Sequence, residues 1–75
     1  MTPVEALAEL RRCVIQRDGR YWVIRHPPSG EMVYEAYVDD PERGRIMGPI
    51  RWATKREAIA AYQRIEAVFQ ARALL

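Results

Sequence analysis

The sequence has little of what usually staples or activates a small protein. It has one cysteine, Cys13, so no intramolecular disulfide can form, and with one histidine, His26, it has no Cys/His cluster for a structural zinc. No stretch approaches the roughly 18 consecutive apolar residues of a membrane span. The opening Met-Thr-Pro-Val-Glu has no basic segment followed by an apolar core, so no secretory leader is expected and the expected setting is cytoplasmic. A chain of 75 residues has room for a single domain over 1–75, held by packing or by association.

Catalytic signals are equally sparse. His26 precedes Pro27-Pro28 at a strand end, Ser29 reads as a turn residue, and Glu35 has no acid/base partner of defined spacing. The acids Glu31, Glu35, Asp39, Asp40 and Glu42 lack the ligand alternation and terminal glutamate of an EF-hand loop. No catalytic residue, metal or cofactor is expected, and the chain reads as a binding protein and not an enzyme.

What the sequence does have is globular composition, 49% hydrophobic and 29% charged, with its charge in blocks. Arg11 to Arg25 holds five bases and one acid, Glu31 to Glu42 five acids and no base, and Arg43 to Arg56 five bases and no acid. Eleven of the twelve bases are arginine, suited to bidentate contact with carboxylate or phosphate. If the acidic strand lies between the basic ones, arginines become its cross-strand neighbours.

Local patterns predict an α+β fold: a helix, an antiparallel three- to four-stranded meander and a long C-terminal helix. Thr2-Pro3-Val4-Glu5 is a capping box with proline at the first helical position, and Val4, Leu7 and Leu10 recur at helical spacing, giving a helix over about 3–12 with Arg11 and Arg12 in its last turn. Residues 13–17 and 20–26 flank Asp18-Gly19, which predicts a hairpin with a type I′ turn. Pro27 to Gly30 ends the second strand, residues 31–38 form a third, residues 39–44 turn, and 45 to about 52 form a weaker fourth interrupted by Gly48-Pro49. Thr54-Lys55-Arg56-Glu57 is a second capping box. The helix after it should bury Ile59, Tyr62, Ile65 and Phe69, with Ala58, Ala61, Val68 and Leu75 widening the stripe.

Alternation assigns Cys13, Ile15, Trp22, Ile24, Met32, Tyr34, Ala36 and Val38 to the core face of the sheet. Val14, Gln16, Tyr21, Val23, Arg25, Val33, Glu35 and Tyr37 fall on the other. That division needs an odd-length loop at Pro27–Gly30, since a strict four-residue loop turns one strand over. The second face is too apolar for a plain solvent face and calls for a cover, either a partner or a second copy.

The basic residues Arg43, Arg45, Arg51, Lys55 and Arg56 gather before and within the first turn of the last helix. Positive charge there opposes the helix dipole and asks for a counter-charge, which a phosphate backbone or the acidic strand could supply. The expected binding residues are Arg45, Arg51, Lys55 and Arg56 for charge, with Arg25, Tyr37 and Trp52 for packing.

The stretch IRWATKREAIAAYQR, residues 50–64, resembles the strand-to-helix junction of two nucleic-acid-binding families. One is the AP2-like arm-binding domain of phage-type integrases, three strands and a helix that often opens Thr-Lys-x-Glu-Ala. The other is the double-stranded-RNA-binding domain, whose helix-sheet-helix order matches the whole chain. Its last helix opens with a basic pair and alanines, matched here by Lys55, Arg56, Ala58 and Ala61. That family has a Gly-Pro-x-His loop between its first two strands, where this chain has Asp18-Gly19. In size and lack of catalytic residues the chain is also similar in type to small phage anti-defence proteins, the anti-CRISPR proteins among them. These likenesses imply docking on nucleic acid or a nucleoprotein complex, or on a protein partner. A homodimer stays open, and no membrane contact is implied.

Overall fold

The computed structural model describes the backbone of every residue except 33 and 34, and the side chains of all but residues 31–40 and 45–49. Thr2 caps α1 (Pro3–Leu10), its hydroxyl oxygen accepting the Glu5 N–H at 3.1 Å and its O–H donating to the Glu5 carboxylate at 3.0 Å. The helix stops short of the expected last turn, so Arg11 is its C-cap and no base lies inside it. Of its apolar positions only Leu10 is fully buried, while Val4 stays exposed.

β1 (Val14–Asp18) and β2 (Tyr21–His26) form the expected hairpin, with the turn moved by one residue. Asp18 pairs with Tyr21, so Gly19 and Arg20 make the turn; Gly19 has φ +64° and Arg20 a negative φ, the type II′ pattern and not type I′. The shift has a charge rationale. A turn at Asp18-Gly19 would set Arg17 directly opposite Arg20, whereas the observed register sets Arg17 opposite Trp22. It preserves parity, so Ile15, Trp22 and Ile24 share one face and Val14, Gln16, Tyr21, Val23 and Arg25 the other, as expected.

The single meander is not what forms. Pro27–Gly30 is a strict four-residue loop, so β3 (Glu31–Met32) pairs Glu31 with His26 and Met32 with Arg25. Met32 therefore takes a register position on the Arg25 face, opposite to the one expected. Expected strand 31–38 is represented by β3 and by β4 (Glu35–Asp40), with Val33 and Tyr34 outside the described residues. β4 pairs with β5 (Gly44–Pro49) in a separate two-stranded ladder, so Ala36 and Val38 belong to that ladder and not to the sheet under the helices. The helices thus rest on two full strands, β1 and β2, edged by the short β3 and by one bridge between Trp22 and Trp52.

α2 (Lys55–Ala73) begins as expected, with Thr54 accepting the Glu57 N–H at 3.2 Å. It packs on β1, β2 and α1. Its inward line has Ala58 and Ala61 buried and Tyr62, Ile65, Phe69 and Ala73 half-buried. Ile59, Val68 and Leu75 fall outside it and are exposed, because the two fully buried alanines bring the helix close and turn those residues outward. Leu10, Val23, Ile24, Ala58 and Ala61 are the buried core among the described residues. Trp22 and His26 meet the helices, through Lys55 and Glu9, so that face carries Ile24. Val23 lies on the other face and is equally buried, so the chain itself covers the middle of that face.

Candidate functional site

The feature that organises the candidate site is the bridge between β2 and the segment leading into α2. Trp22 and Trp52 exchange both backbone hydrogen bonds, at 2.7 and 2.9 Å, which makes them directly opposite residues on one face. Since Arg17 stands opposite Trp22 on the other side, Arg17, Trp22 and Trp52 form one cross-strand row. Arg17 curls back to the turn, its Nε donating to the Gly19 carbonyl at 3.0 Å. Both tryptophans are half-buried, and the Lys55 Nζ lies 5.7 Å from the centre of the Trp22 ring, within cation–π range.

Arg51, one residue before Trp52, places Nε 3.5 Å from the Asp18 carboxylate. This partly exposed pair ties the hairpin turn to the start of α2. Arg56 is exposed in the first turn of α2, and Arg20 is exposed in the hairpin turn. The junction therefore sets the hairpin's Arg17 and Arg20 beside the segment that carries Arg51, Lys55 and Arg56, with Trp22 and Trp52 bridging the two and the acids Asp18 and Glu57 alongside. Arg51, Trp52, Lys55 and Arg56 were legible as a set from their sequence spacing. Arg20 and Trp22 come to them only through the bridge.

The remaining expected residues lie elsewhere. Arg25 is three residues along β2 from Trp22, about 10 Å away, and on the opposite face. Its Nη1 donates to the Gly30 carbonyl at 2.9 Å, and its buried Nε has no hydrogen-bond partner among the described residues. It clasps the Pro27–Gly30 loop. Tyr37 and Arg45 occupy the β4–β5 ladder, at register positions opposite Met47 and Asp39, and their side chains lie outside the described residues. Arg45 sits four residues from Pro49 toward the tip of the ladder, about 13 Å along the strand. Its pairing with Asp39 sets one base opposite the acidic strand, but among the described residues β4 pairs with β5 alone and does not lie between two basic strands.

A second polar cluster was not anticipated. His26 Nε2 is 2.6 Å from the Glu9 carboxylate and its Nδ1 is 2.8 Å from the Ser29 hydroxyl. Arg12 Nη1 reaches the other Glu9 oxygen at 3.3 Å, and the Cys13 thiol donates to the Glu9 carbonyl at 3.4 Å. The His26 hydrogen bond holds the Glu9 carboxyl below its ordinary value; desolvation opposes this and the charge of Arg12 reinforces it. Burial, then the Glu9 charge, pushes the Cys13 thiol up, which disfavours the reactive thiolate. With Nε2 protonated, the ring donates to Glu9 and accepts from Ser29, an arrangement that pins α1 to the end of β2. The Ser29 contact spans three residues and was within reach of a turn argument. The Glu9 contact crosses seventeen and was not.

Between the end of α1 and α2, the Tyr62 hydroxyl donates to the Leu10 carbonyl at 3.4 Å, and Arg11 pairs with Glu66 at 3.6 Å. Burial, with Glu66 beside it, raises the Tyr62 phenol. Among the described residues no group of three His, Cys, Asp or Glu side chains could hold a metal ion, and no helix is long and apolar enough to cross a membrane. Comparison with protein families, with curated proteins and with solved structures returned no match.

Proposed function

We propose that the chain is a non-catalytic module that docks on nucleic acid, alone or in a nucleoprotein complex, through the junction of the β1–β2 turn with the start of α2. The observation that carries this reading is the Trp22–Trp52 bridge, which brings Arg20 and Trp22 to Arg51, Lys55 and Arg56. Charge positions a phosphate backbone, and a tryptophan edge gives a base or sugar something apolar to meet. The likeness of residues 50–64 to nucleic-acid-binding junctions points the same way.

The test is binding of mixed-sequence DNA and RNA across a salt series. Affinity should fall steeply with salt, with a log–log slope of about 0.9 per phosphate neutralised on duplex and about 0.7 on single strands. Lys55→Glu with Arg56→Glu should abolish binding at moderate salt without altering the far-UV spectrum. Asp18→Asn releases Arg51 and should tighten binding. Unchanged affinity in the double variant would sink the proposal.

A protein-binding inhibitor or adaptor is the second reading. It is favoured by Val14 and Tyr21, 44% and 42% exposed on the sheet face away from the helices. Under that reading nucleic acid does not bind, and Tyr21→Ala disrupts the protein complex while Lys55→Glu/Arg56→Glu leaves it intact.

A further inference from the structure

We infer that two copies of this chain pair through the outer edge of β5, joining their β4–β5 ladders into a four-stranded antiparallel sheet about a two-fold axis. The inference stands apart from the docking surface above and uses a different part of the molecule.

Its first support is the ladder itself. β4 and β5 pair over six residues each in a sheet of their own, and among the described residues no other strand lies against either outer edge. A lone two-stranded hairpin is marginal in water, and open edges are templates for further pairing. The second support is size. The radius of gyration is 13.3 Å, against about 11 Å for a compact chain of this length, and the extents are 41 × 24 × 22 Å. The accessible surface is 5627 Å², about 900 Å² more than a compact monomer of 8.7 kDa exposes. The chain is thus more open than a compact monomer and has surface to spare for a partner.

Charge selects the edge. Two β4 strands side by side would set six carboxylates, Glu35, Asp39 and Asp40 from each copy, in adjacent strands without a base. β5 has one charge, Arg45. An antiparallel two-fold pair places one residue opposite itself, and the centre of β5 is Ile46 and Met47. With the axis at Ile46, Arg45 stands opposite Met47 of the second copy; with the axis at Met47, it stands opposite Pro49. Neither register sets charge against charge. The one missing backbone donor, Pro49, is the last residue of the strand.

The experiment measures mass by light scattering from about 5 to 200 µM and adds single-cysteine crosslinking. The wild-type mass should approach twice 8.7 kDa at the upper end and fall on dilution. Successive N–H groups point to opposite sides of a strand, so of Ile46→Pro and Met47→Pro one should give a monomer that keeps its far-UV spectrum. In a Cys13→Ser background, Ile46→Cys or Met47→Cys should oxidise to a disulfide dimer, since directly opposite residues lie at bridging distance, and Val38→Cys on β4 should not. A mass of 8.7 kDa at every concentration, or crosslinking through β4 in preference to β5, overturns the inference.

Discussion

Glu9 is exposed to solvent on one side and held by His26 and Arg12 on the other, so its acidity is coupled to folding. Its folded-state pKa lies below the ordinary value of 4.5, so as pH drops the unfolded chain takes up a proton before the folded one does. The stabilisation from Glu9 is therefore complete above about pH 4.5 and is lost as pH falls through the depressed value. Thermal melts from pH 7 to pH 3 should show a shallower decline for Glu9→Gln than for wild type. Parallel curves would mean that the His26 contact contributes nothing to folding. Nothing in the chain near Glu9 announces this contact, because its partner is brought close only once α1 folds back over β2.

At the scale of elements, the close seat of α2 rests on two alanines. Ala58→Leu adds a side chain where there is no room and should cost about 1–3 kcal/mol in urea unfolding. Val68→Ala, at a 49% exposed position, should change stability by less than about 0.5 kcal/mol. Equal costs at the two positions would mean that the helix is rotated from its described seat. Each element's type was legible from caps and periodicity: Thr2 and Thr54 begin their helices, and Asp18-Gly19 marks the hairpin. Phase was harder to read. Apolar residues run almost all round α2, so periodicity alone could not choose Ala58 and Ala61 over Ile59 and Val68. The turn moved one residue because the repulsion between Arg17 and Arg20 is a cross-strand effect that a turn dipeptide does not encode. The candidate site was legible where its residues are consecutive, from Arg51 to Arg56, and not where β2 delivers Trp22.

The whole molecule divides between a small helix-backed body and a separate two-stranded ladder. Val23 and Ile24 are buried on opposite faces of β2, so their amides should be among the slowest to exchange with deuterium. Amides of β4 and β5 should exchange fastest in dilute solution and slow as concentration rises. Uniform protection at low concentration would mean that the ladder is stable without a second copy. The charge blocks in the sequence map onto this division, basic at the body's hairpin and helix start and acidic along β4.

The tryptophan bridge has an optical consequence. The chain has two tryptophans, and the bridge sets both at the same spot. Indole emission therefore reports from the proposed docking surface, with Lys55 close enough to Trp22 for its charge to shift the spectrum. A ligand that displaced Lys55 from that ring would announce itself by colour, with no dye attached and no residue changed.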